Sequence, residues 1–118
     1  MATTKALPKP LLVTTPGNAF RTSFQLVFKV TGQVYQVPPF RVQAGMSILI
    51  SPINGTAVNA NPCSLADRAS LVGTSSASVL PAGADVSIPW LTDNTGKIFA
   101  AGTAGDGILV TVSEPGFA

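Results

Sequence analysis

Between Phe20 and Val30 the chain reads F-R-T-S-F-Q-L-V-F-K-V, so that Phe24, Leu26, Phe28 and Val30 share one side of an extended backbone and Gln25 and Lys29 the other. A period of two is the pattern of a strand with one face on a core, and a helix of 3.6 residues per turn cannot gather those four side chains into one stripe. Val27 alone breaks the alternation. Gly32 then marks a turn, and Gln33-Val34-Tyr35-Gln36-Val37 supplies a second short strand, which Pro38-Pro39 must end because proline has no amide to donate to a ladder. Further short runs rich in Val, Ile and Phe lie at Phe40-Arg41-Val42, Met46 to Ser51, Ala84 to Trp90, Lys97 to Ala101 and Gly107 to Ser113. Seven or eight strands are expected.

The runs are separated by Ala44-Gly45, Asn54-Gly55, Pro81-Ala82-Gly83, Asp93-Asn94-Thr95-Gly96 and Gly105-Asp106-Gly107, residues that accept positive φ or close an Asx turn. Short strands joined by such turns build an antiparallel sandwich or a jelly-roll-like barrel, since a parallel sheet would need helical crossovers of a dozen residues. At most one short helix is expected. Ser64-Leu65-Ala66-Asp67 resembles a capping box with Asp in place of Glu, and the pattern continues for about two turns toward Val72 and Gly73. Two phrases echo one another, Ala44-Gly45-Met46-Ser47-Ile48-Leu49-Ile50 and Ala82-Gly83-Ala84-Asp85-Val86-Ser87-Ile88, which would place two hairpins at equivalent points of two facing sheets. Gly73 to Ser78 reads as a loop.

A chain of 118 residues supports one core, which excludes a two-domain enzyme. Residues 1–19, with Pro8, Pro10 and Pro16 and no alternation, are expected to form an extended arm ahead of a single sandwich domain over residues 20–118. The apolar runs are far short of a membrane span, and no secretory leader is read in the first residues. A single cysteine, Cys63, suits synthesis in a reducing cytoplasm and reads as a buried small hydrophobe.

Histidine is absent, which removes His-based acid–base chemistry and Ser-His or Cys-His nucleophile pairs. The remaining motifs are weak in chemistry. Residues 102–107 are glycine-rich, but Ile108-Leu109-Val110 continues as a strand where a phosphate loop needs a Lys-Ser/Thr pair and a helix. Asn54-Gly55-Thr56 spells a glycosylation sequon and reads as a tight turn with Asn and Gly at positive φ. Asp85, Asp93, Asp106 and Glu114 lack the spacing of a calcium loop and read as turn residues or solvated charges. Neither a cofactor nor a metal is implied.

Charged residues make up only 10% of the chain, and their placement is lopsided. Lys5, Lys9, Arg21, Lys29 and Arg41 stand in the first 41 residues without an acid, whereas residues 42–118 set two cations against five acids, a net of −3. Dispersed cations of this kind match an acidic protein surface better than nucleic acid, which favours dense cations with interleaved aromatics. The arm is too poor in large apolar groups to order itself, so Lys5, Lys9, Leu11, Leu12, Val13 and Arg21 are expected at a contact with a partner subunit, residues 11–15 adding to an exposed sheet edge.

Phe40-Arg41-Val42-Gln43-Ala44-Gly45, Leu80-Pro81-Ala82-Gly83-Ala84-Asp85-Val86, Asp93-Asn94-Thr95-Gly96-Lys97-Ile98-Phe99 and residues 104–112 together resemble a layout common in small all-β virion proteins of tailed bacteriophages. The resemblance spans about residues 37–113 and leaves out the basic arm and the Phe20 to Val37 hairpin. It implies a decoration, or cement, protein that is made in the host cytoplasm. Such a protein binds the major capsid protein on the outer shell without catalysis, nucleic acid or membrane, as a homo-oligomer for which a trimer is expected. The rival expectation is a carbohydrate- or receptor-binding head-fibre or tail module, which would expose Tyr35 and Trp90 in one groove.

Overall fold

The computed structural model describes residues 20–114, and all of its sheet pairing is antiparallel. The strands are β1 (Phe20–Val27), β2 (Tyr35–Gln36), β3 (Ser47–Ser51), β4 (Ile53–Asn54), β5 (Ala57–Val58), β6 (Cys63–Ala66), β7 (Ser78–Leu80), β8 (Ile88–Trp90), β9 (Phe99–Ala101) and β10 (Gly107–Glu114). They form two four-stranded sheets, β1-β10-β3-β8 and β2-β9-β6-β7, with β4-β5 as a separate hairpin.

With that hairpin set aside, the eight remaining strands pair as a nested series: β1 with β10, β2 with β9, β3 with β8 and β6 with β7. A long antiparallel hairpin rolled so that β10 also meets β3 and β9 also meets β6 is a jelly roll, two interlocked Greek keys. The observed fold is therefore all-β and an antiparallel sandwich, as expected, and its connectivity is that of a jelly roll.

Alternation decides which side chains meet between the sheets. β3 shows exposed Ser47 and Leu49 against buried Ile48 and Ile50, and β10 buries Ile108, Val110 and Val112. The second sheet answers with Cys63, Leu65, Leu80 and Ala100, and Phe28, Val37 and Ile98 close the core from the connections. Each such aliphatic or aromatic side chain contributes about 1.5–3 kcal/mol on full burial.

The helix expected from Ser64 is absent. Cys63–Ala66 is strand β6, because Cys63 and Leu65 have a core to face, and Ser64 Oγ accepts from the Gly73 amide at 2.8 Å in place of capping a turn. What remains of the helical pattern is one 3-10 turn at Ala69–Leu71, with a second at Thr95–Lys97. Phe40-Arg41-Val42 forms no strand, only an isolated bridge between Arg41 and Asn94. The two echoing phrases lie in the same sheet as antiparallel neighbours, with Ile50 opposite Ile88, so the facing-sheet expectation is corrected.

Candidate interaction surfaces

Three surfaces stand out on the described body. The first is the edge of β1. Among the described residues β1 has a single strand partner, β10, and all eight of its residues are paired on that side. Arg21 sits exposed near its start, opposite Ser113. By alternation Arg21, Ser23 and Gln25 share the outer face of the first sheet with Thr111, Ser113, Ser47, Leu49 and Pro89. The Ser23 and Thr111 hydroxyls lie 3.4 Å apart, Leu49 is 46% exposed, and Arg21 is the only charged residue among the described positions of this face.

The second surface is a groove of about 670 Å³ at the loop end of the sandwich, lined by Gln36, Arg41, Gln43, Asp93, Asn94 and Lys97. Lys97 Nζ reaches Asp93 at 2.8 Å, and that hydrogen bond and charge, with a smaller contribution from Arg41, hold the Asp93 carboxyl below its ordinary range. Two amides of this groove are committed to the loops themselves. Gln36 donates to the Gly96 carbonyl at 2.7 Å, and Asn94 Oδ1 accepts from Gly96 at 2.8 Å and Phe40 at 3.2 Å. Beside it lies a shallower depression with Val42, Met46 and a 98% exposed Leu91.

The third is a groove of about 390 Å³ on the outer face of the second sheet, floored by Ser64, Ala101 and Gly102 and walled by Val34, Val72 and Val79. Val79 is 66% exposed. Cys63 lies beneath it, buried, and burial followed by the nearby Asp106 charge pushes its thiol up to about 11.

The residues singled out for chemistry have other duties. Asp106 is 8% exposed, and its two carboxylate oxygens accept from the Ala60 and Asn61 amides at 3.2 Å each. Asn59, invisible as a functional residue in the sequence, donates to the Gly107 carbonyl at 2.7 Å and accepts from the Gly107 amide at 2.9 Å. This clasp ties the segment before β6 to the start of β10. Gly102 and Gly107 serve packing, since an added Cβ would stand 2.7 Å from the Phe28 ring and 2.5 Å from the Leu26 carbonyl oxygen respectively. In the sequon Gly55 has positive φ, at 64°, while Asn54 ends β4 and donates to the Gly105 carbonyl. Among the described residues no three His, Cys, Asp or Glu side chains come together as metal ligands.

Tyr35 and Trp90 sit on edge strands of different sheets, and both pack against the core. The Tyr35 hydroxyl accepts from the Lys29 and Val30 amides at 3.2 and 3.0 Å, and its ring lies 6.1 Å from that of Phe28. They do not form one exposed groove. Of the expected contact residues, Arg21 lies at the start of the β1 edge, and Lys5, Lys9, Leu11, Leu12 and Val13 lie outside the described residues. No described helix is long and apolar enough to cross a membrane. No family model, no curated protein and no solved structure matches the chain.

Proposed function

We propose that the protein is a structural component of a virion, a decoration protein that binds the outer surface of a capsid and stabilises the assembled shell without catalysis. The observation that carries this reading is the outer face of the first sheet, a Ser/Thr surface with Leu49 and Pro89 exposed and Arg21 as its only described charge. A solvated face of an antiparallel sheet is ordinarily rich in charge, so a face of this composition suits a protein interface. Charge balance agrees. Residues 20–114 carry five cations and five acids, which leaves the chain's formal +2 to Lys5 and Lys9 of the arm.

The partner is the major capsid protein, with an acidic patch for the arm, and the protein acts as a homo-oligomer, a trimer on the family likeness. Nucleic acid and membrane are not partners in this reading, because two of the five described cations are already paired with Asp67 and Asp93 and the rest are dispersed. Stabilisation follows mass action: a ligand that binds the assembled lattice and not its free subunits lowers the lattice free energy with the logarithm of its concentration over Kd, at every site.

The test is to add purified protein to capsids recovered from lysates of the source strain and measure co-sedimentation and shell melting. Saturable binding with a raised melting temperature is expected. Absence of co-sedimentation at saturating protein would overturn the proposal.

A further inference from the structure

We propose that residues 11–15 of one copy add as an extra strand to the edge of β1 in a second copy, the edge that has no strand partner among the described residues. This rests on the homo-oligomer part of the reading above and is independent of the capsid.

The acceptor is chosen by elimination among four sheet edges. β2 offers two residues, β7 three, and β8 three with Pro89 at its centre. β1 offers eight, with no proline and only Arg21 charged. Edges are ordinarily blunted by lysine, proline or brevity, and β1 has none of these within its length. Its inner face is also unfinished. Phe24 and Leu26 are only partly buried, whereas Val110 and Ile108 directly opposite them on β10 are fully buried. One more strand beyond β1 would cover the two exposed flanks.

The occupant is set by the chain that leads into β1. Residues 11–15, Leu-Leu-Val-Thr-Thr, are bounded by Pro10 and Pro16, which limits pairing to five residues. In extended form Leu11 and Val13 fall on one side, beside Phe24 and Leu26 once paired. Residues 11–15 are separated from β1 by Pro16-Gly17-Asn18-Ala19. Pro-Gly favours a type II turn, whereas two-residue hairpins use primed turns and four-residue hairpins are built on type I. A hairpin back onto its own β1 is therefore less favourable than addition to the edge of a neighbour. Each copy is both donor and acceptor, so exchange joins whole copies into an oligomer.

The test uses the full-length protein. Light scattering should give a whole multiple of 12.0 kDa, and Val13→Pro should reduce it to 12.0 kDa with an unchanged far-ultraviolet spectrum. In the double variant Thr14→Cys, Ser23→Cys, with the buried Cys63 left in place, a short bis-maleimide should link separate chains into covalent dimers and larger species on a denaturing gel. A monomeric full-length protein, an oligomer that survives Val13→Pro, or cross-links confined within single chains would each overturn the inference. A monomer that still binds capsids would overturn this inference and the homo-oligomer while leaving capsid binding in place, and an oligomer that ignores capsids would overturn the capsid proposal alone.

Discussion

β1 and β10 run eight residues each and pair over their full length, whereas no strand of the second sheet exceeds four residues. The first sheet is held by its ladder and its alternation. The second is held as much by side chains that reach from loops to backbone: Thr95 Oγ1 donates to the Pro38 carbonyl at 2.6 Å, Ser64 Oγ accepts from Gly73, and the Tyr35 hydroxyl accepts from two amides beyond β1. Two facing layers of one core thus reach order by different means, one through local periodicity and the other through tertiary hydrogen bonds that satisfy backbone groups the short strands leave over.

Substitutions in the two layers should therefore fail differently. The largest effect is expected at Gly107, where a Cβ would stand 2.5 Å from the backbone oxygen of Leu26, an atom with no rotamer to yield. Gly107→Ala should cost about 3 kcal/mol or more, read by chemical denaturation, and should weaken both sheets together. Asn59→Ala comes next. It leaves the buried Gly107 amide and carbonyl without their partner, and a loss of about 2–3 kcal/mol is expected.

Thr95→Val sharpens the contrast, because Thr95 is fully buried and its hydroxyl is spent on Pro38. A loss of about 1–2 kcal/mol is expected, with faster amide exchange at Val37 and Ile98 and unchanged exchange along β10. Equal acceleration in β10 would show the two layers to be one cooperative unit.

How much of this was legible follows the same division. β1, β3, β8 and β10 stand out in the sequence because each carries alternation or a β-branched run between turn signals. β6 was hidden behind Ser64-Leu65-Ala66-Asp67, whose spacing suits a helix cap equally well, and four residues are too few for periodicity to decide. β7 begins at Ser78, inside a stretch whose Gly, Ser, Thr and Ala read as loop. Asn59 carried no signal and Asp106 only that of a turn residue, since their partners lie 45 to 48 residues away. Of the expected contact, Arg21 could be placed on a strand because β1 was legible, but that β1 is an edge, and the only long one among the described strands, depends on the rolled topology.

Smaller effects probe the surface between the layers. Cys63 is neutral in the fold, held so by burial, and its pKa is raised from 9.0 to about 11. Because the folded value is the higher one, the thiol's contribution is fully present below pH 9 and is lost as pH rises toward 11, where the unfolded chain gains by ionising. Stability measured across that window should fall, and Cys63→Ala should remove that component of the slope. Smallest of all is Asp93→Asn. It breaks an exposed pair with Lys97 at 2.8 Å, and no change in denaturation midpoint is expected at physiological salt.

Electron cryomicroscopy of particles purified from the source strain would locate the protein on or off the shell. Ordered density is expected on the outer shell that fits the β1-β10-β3-β8 and β2-β9-β6-β7 sandwich, with the first sheet's outer face turned to a neighbouring subunit. Particles whose shell lacks the protein, in preparations where mass spectrometry finds it only in the soluble fraction, would contradict it.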